Sequence, residues 1–218
     1  MGPMSEPRVE LVRPWRGMPP RERQEARRRR LLQAGLEVFG TEGFRAATVG
    51  RVCREAGLTN RYFYEHFADR EAALRAVYDD LVEDAFHRLS TAVSDPPPAS
   101  CLEDRVMAAL DAYLDFCLSD PRRPRVISVE SVGVSADMEE RRRSVCHRIA
   151  ELFAREYRRS AREGTVVDLP FDKQALALVG AANELVIDWV LSDRSRTREE
   201  LSRDIAGVFM PVIGSRRS

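Results

Sequence analysis

Six side chains that can donate hydrogen bonds crowd into the eleven residues from Asn60 to Arg70: Asn60, Arg61, Tyr62, Tyr64, His66 and Arg70. Their chemistry is that of nucleic-acid contact. An arginine bonds guanine O6/N7 bidentately and an asparagine does the same for adenine, which suits Arg61 and Asn60 at the start of a helix with Tyr62 beside them. Tyr64, His66 and Arg70 are suited to phosphate oxygens, with Thr48 adding one more contact from the preceding helix. Surface helices seldom carry so many uncharged amide and phenol groups without a partner. Tyr62 alternatively leans into the core beside Phe63, and His66 alternatively caps its helix.

These groups need two helices to position them. Val49, Val52, Cys53 and Ala56 fall at i, i+3, i+4 and i+7, one face of a helix opened by Thr48 and ended at Gly57. Thr59 then caps a second helix that buries Phe63 and Phe67. The spacing is that of a helix-turn-helix, with an ordinary helical hairpin as the alternative.

The run from Leu31 to Leu74 resembles the N-terminal domain of the TetR family of bacterial transcription regulators. The resemblance is carried by Leu31 to Gly40 as first helix, Glu42-Gly43-Phe44 as its exit and Thr48 opening the second helix. Ala56-Gly57-Leu58-Thr59, Tyr64-Glu65-His66-Phe67 and Arg70-Glu71 complete it. Tyr62-Phe63 departs from the small residue and leucine of many relatives, and Arg70 replaces the usual lysine, which keeps the charge but changes the reach.

Composition adds exclusions. The 218 residues carry 35 basic and 35 acidic side chains, so no whole-chain charge points to a polyanion. Locally, ten arginines face six acids between Arg21 and Phe67, a modest basic footprint. Lys173 is the only lysine, which a GC-rich genome explains. Cys53, Cys101, Cys117 and Cys146 have no metal-ligand or disulfide-framework spacing, and no nucleotide, zinc-protease or hydrolase motif occurs. No enzyme activity, metal or cofactor is expected. No uninterrupted apolar stretch of membrane-spanning length and no signal-peptide order occur, so a cytoplasmic protein without a membrane partner is expected.

An all-α chain in three parts is expected: a flexible arm over 1–18, a three-helix helix-turn-helix domain over 19–70, and a helical effector-binding and dimerisation domain over 71–218. Arg13 and Arg16 flank Pro14-Trp15 in the arm and offer a minor-groove contact, against a simple tail as alternative. The body reads as helices over 71–93, 101–119, 136–162, 172–191 and 197–212. The β-branched stretch Val126 to Val134 has strand propensity but is better read as a short buried helix between long ones.

Polar groups inside apolar runs, Glu130 and Asn183, together with Tyr113, Phe116, Phe153 and Trp189, are the candidate lining of a small-molecule pocket. Alternatively Asn183 and Glu184 cross-bond at a dimer seam and the aromatics are plain core. The helix 172–191 is apolar nearly all round, which calls for cover on both sides. Leu176, Val179, Gly180, Asn183 and Ile187, joined by Leu201, Ile205, Val208 and Phe209, are the candidate dimer interface, where the resembling family also dimerises.

The resemblance implies a homodimeric repressor that binds a palindromic double-stranded operator and is released by a small-molecule effector. An activator of the same fold is one alternative. A helical small-molecule-binding protein without specific operator recognition is the other.

Overall fold

The computed structural model describes residues 19–94, 100–192 and 196–214, all of them helical or in turns between helices. The arm over 1–18 and the Pro96-Pro97-Pro98 breaker lie outside the described residues. The helices are α1 (Pro20–Thr41), α2 (Val49–Ala56), α3 (Asn60–Tyr64), α4 (Arg70–Ser94) and α5 (Leu102–Ser119). They continue with α6 (Arg122–Arg125), α7 (Ala136–Arg162), α8 (Asp172–Leu191) and α9 (Arg198–Ile213). Local chemistry sets several of their ends. Ser135 Oγ accepts from Met138 N at 3.2 Å, and Thr197 and Glu200 form a reciprocal capping box.

The stretch from Val126 to Val134 runs on from α6 as a π-helical turn over Val126–Glu130. Its β-branched residues do not form a strand: Val126 and Ser128 are buried among helices, and no strand occurs among the described residues for them to pair with. Such wide turns often mark functional places in a helix.

The helices α1 to α3 close a small core on Leu31, Val38, Phe39, Val52, Phe63 and Phe67, and α4 carries it without a break into the body through Leu74 and Val77. Two glycines set how closely α1 approaches its neighbours. A Cβ on Gly35 would stand 2.8 Å from Val77 Cγ2 of α4, and one on Gly40 would stand 2.5 Å from Arg122 Cβ of α6. The reader and the body are thus packed against each other along α1.

Helix α8 has the length and mean hydropathy, 1.3, of a membrane span, a property missed in the sequence because its apolar run is interrupted. Its Ala175, Leu178, Val179, Ala182, Val186 and Trp189 are buried within the bundle, which accounts for one side of the helix and leaves the side at Gly180 and Leu191 uncovered.

Candidate nucleic-acid interface and interior cavity

The helix-turn-helix is built as its residues dictate. Thr48 Oγ1 accepts from Arg51 N at 3.1 Å, capping α2. Gly57 ends it at φ +59° and ψ +38°, a left-handed conformation, and Leu58 N donates back to Cys53 O at 2.9 Å. Thr59 stands at the start of α3, but only its carbonyl works there, accepting from Tyr62 N at 3.0 Å; its hydroxyl caps nothing. That hydroxyl is exposed, as are Thr48, Asn60, Arg61 and Tyr64. The exposed face of α3 therefore carries an amide, a guanidinium and a phenol together. Arg61 is 86% exposed and only loosely paired, with Nε 3.4 Å from Glu65.

The other candidate contacts differ. Tyr62 is half-buried with the Arg27 guanidinium 4.1 Å above its ring. His66 is half-buried between the α1 arginines and Phe67, and its Nε2 is buried without a partner. Burial, then the nearby Arg28 charge, pushes its pKa down, so the ring favours the neutral form. Arg70 departs most from expectation. Its guanidinium lies 4.3 Å from the Phe44 ring and donates to the carbonyls of Ala47 and Arg45, the loop that leads to Thr48. Those partners make it a clamp on that loop and leave less of it for phosphate.

The arginine run Arg27 to Arg30 on α1 is more than a solvated face. Arg30 Nη2 donates to Ala56 O at 2.6 Å and reaches Gly57 O at 3.4 Å, satisfying carbonyls at the end of α2. Arg28 sits 5.3 Å from the Phe67 ring. The signal was there, since positions 27 and 30 lie one turn apart, but their partners are distant in sequence.

Inside the body is a narrow cavity, with about 90 Å³ of space for the centre of a water-sized sphere, several times what one water needs. Of the candidate pocket residues, Tyr113, Phe153 and Asn183 line it. Phe116, Glu130 and Trp189 do not. Phe116 is fully buried core with Arg123 5.0 Å from its ring, and Trp189 is core whose Nε1 donates to Arg196 O at 3.1 Å. Glu130 points toward the reader domain, where it accepts from Phe44 N and pairs with Arg125. Tyr78, Arg142 and Cys146 are wall residues the sequence did not single out. Arg142 stands one turn before the Cys146, Ile149 and Phe153 stripe, so helical periodicity held the clue.

The π-helical turn touches both places. Ile127 lines the cavity, Ser128 Oγ donates to the cavity residue Asn183 at Oδ1 over 2.8 Å, and Glu130 holds the reader's Phe44.

The candidate dimer residues divide likewise. Leu201, Ile205 and Phe209 are buried in the chain's own core, and Val179 and Phe209 line the cavity. Those three are corrected to intramolecular packing, because α9 turns that face onto α5 and α8. Gly180 and Val208 are exposed, with Leu176, Asn183 and Ile187 half-buried. The uncovered apolar face also includes Leu191 and Val212.

Residues 31–77 match the family model for bacterial regulatory proteins, tetR family. Among curated relatives, the chain is 30% identical over 108 residues to the transcriptional activator FasR of Mycolicibacterium smegmatis, 48% of this chain and 46% of FasR. It is 30% identical over 130 residues to the transcriptional regulator BetI of Serratia proteamaculans, 53% of this chain and 65% of BetI. The aligned stretches thus span about half to two-thirds of these relatives' lengths. In solved structures, the fold matches FadR from Bacillus subtilis in complex with stearoyl-CoA, with a TM-score of 0.74 at 13% identity over 83% of this chain and 96% of that one. The fatty acid degradation regulator FadR from Bacillus halodurans matches with a TM-score of 0.71 at 16% identity, covering 88% and 96%. At such identities the likeness is one of fold.

Proposed function

As the chain belongs, through residues 31–77, to the tetR family of bacterial regulatory proteins, we propose that it is a ligand-responsive, cytoplasmic transcription regulator and no enzyme. Two copies read a palindromic double-stranded operator, and a small molecule in the body's cavity releases them. The observation that carries this reading is the exposed set Asn60, Arg61 and Tyr64 on a helix held from behind by Arg27, while Arg30 holds the end of the preceding helix and Arg70 the loop before it. Rigid backing with exposed donors is what base readout needs.

In this reading Arg61 and Asn60 contact base edges, Tyr64 and Thr48 contact phosphate, and Arg70 positions the loop before Thr48. His66 and Tyr62 support the helix from behind. A two-fold dimer requires a two-fold site, and the uncovered face of α8 and α9 around Gly180, Val208 and Val212 is the surface for the second copy. The effector acts through the turn at Val126–Glu130, which is bonded to the cavity at one end and to the reader at the other. Repression is the simplest outcome of such release. Activation by the same fold depends on where the operator lies, and the activator FasR among the relatives keeps that second reading in play.

The test is selection of bound sequences from random double-stranded DNA, followed by titration at two salt concentrations. Enrichment of a palindrome whose binding weakens steeply with salt is expected. Binding no better than to scrambled DNA would bring forward a ligand-binding protein without operator recognition.

A further inference from the structure

The cavity has a direction. Helices α4 and α7 run side by side in the same sense, as the pairs Arg141–Asp79 and Arg148–Glu83 require. Arg142 and Phe153, both on its wall, stand eleven residues apart on α7, about 16 Å of helix. Beside Arg142 the wall is polar: Tyr78 is the neighbouring residue of α4, and Asn183 arrives from α8 through its bond to Ser128. Toward Phe153 the wall is apolar, closed by Phe209, whose ring centre lies 6.3 Å from that of Phe153. Burial keeps the Tyr78 and Tyr113 phenols neutral, leaving Arg142 as the one charged lining group among the described residues.

Arg142 is also able to accept a second anion. Its Nη1 donates to Glu139 Oε2 at 2.9 Å, while the other Glu139 oxygen accepts from Gly133 N at 2.7 Å. Glu139 is thus held by backbone whether or not Arg142 stays with it, and the rest of the guanidinium fork can serve a carboxylate.

We infer that this cavity binds an elongated monoanionic amphiphile, its carboxylate at Arg142 and its hydrocarbon tail lying along α7 toward Phe153 and Phe209. The inference rests on the reading of this cavity as the effector site. Arg142 supplies charge selection, the tyrosines and Asn183 supply neutral hydrogen bonds to the head, and the apolar end drives binding by burial of the tail.

Calorimetric titration of the full-length protein with decanoate, 1-decanol and decylamine tests this without DNA. Decanoate is expected to bind, decanol about tenfold more weakly, and decylamine not at all. Arg142→Met is expected to erase the preference for decanoate while keeping decanol binding, and Arg142→Lys to restore part of it. Equal affinity for decanoate and decanol in the unaltered protein overturns the proposal, as does undiminished decanoate binding by Arg142→Met. The three-ligand comparison on the unaltered chain decides the matter should the methionine variant not fold. A parallel DNA titration keeps the two readings apart. Decanoate bound through Arg142 with DNA retained defeats the effector role but supports the ligand class. Specific DNA binding with no affinity for decanoate defeats the ligand class and leaves the regulator standing.

Discussion

The backbone N–H of Phe44 donates to Glu130 Oε2 at 2.8 Å, joining residues 86 apart in the chain and tying the reader's loop to the body. The other Glu130 oxygen is held by Arg125 Nε at 3.1 Å, so the carboxylate is fixed from both sides. Gly43, at φ +86°, brings the loop close enough that a Cβ there would stand 3.1 Å from this carboxylate. Phe44 in turn carries the Arg70 guanidinium that grips the carbonyl of Ala47, next to Thr48. Three consecutive contacts thus join the turn at Val126–Glu130 to the loop before α2.

Glu130→Ala should lower stability by about 1–3 kcal/mol, because it strands a part-buried N–H and an arginine. Glu130→Gln, which keeps an acceptor for Phe44, should cost less. Urea unfolding measures both, and operator titration should show weaker DNA binding for the alanine variant at a temperature where it remains folded. Unchanged DNA affinity would remove Glu130 from the coupling route.

Gly40→Ala tests the other joint between reader and body. Its Cβ would meet Arg122 Cβ at 2.5 Å and the backbone Cα at 3.0 Å, so α1 and α6 must separate. A loss of about 1–3 kcal/mol is expected, read as a lowered midpoint of thermal unfolding.

At the exposed face the pattern should invert. Arg61→Ala leaves the unfolding midpoint unchanged but costs about 1–3 kcal/mol of operator affinity and relaxes the choice of base at one position. Tyr64→Phe weakens binding by a similar factor on cognate and scrambled DNA alike, since a phosphate contact carries no sequence information. Competition titrations with single-base operator variants distinguish the two behaviours.

Self-association should separate from folding. Val208, 40% exposed, can become glutamate without harm to the monomer core, and Val208→Glu should shift the protein toward monomer in analytical ultracentrifugation. Leu201→Ala, at a fully buried position, should instead destabilise the fold by about 2–5 kcal/mol. A dimer untouched by Val208→Glu would place the interface elsewhere.

His66 gives a pH dependence of definite sign. Its folded-state pKa lies below the ordinary histidine value, through burial first and the Arg28 charge second. The unfolded chain therefore takes up the proton first as pH falls through about 6.5. Stability should be full above that pH and decline below it. His66→Gln should flatten that decline in urea midpoints measured at about pH 7.5 and 5.5.

Much of this molecule is written in local sequence. The caps Thr48, Ser135 and Thr197, the left-handed Gly57 and the apolar spacing of α2, α5 and α7 act within a few residues of themselves. The long helices could thus be located to within a residue or two without coordinates, while the half-buried Tyr62, His66 and Arg70 could not be told from the exposed Asn60, Arg61 and Tyr64. Charge at Arg61 and amide at Asn60 needed only a helix beneath them to be exposed. Tertiary structure decided what depends on distant partners. Glu130 looked like a pocket carboxylate because it sits in an apolar run, yet its direction is set by the Phe44 N–H and Arg125. Leu201, Ile205 and Phe209 looked like a dimer seam because periodicity shows that a face is apolar but not what covers it. Arg70 and Arg142 carry the same charge in the sequence. One is spent on loop carbonyls, while the other shares its fork between Glu139 of its own helix and the wall of a cavity, because the packing of the body places a cavity beside it and the packing of the reader places a loop beside Arg70.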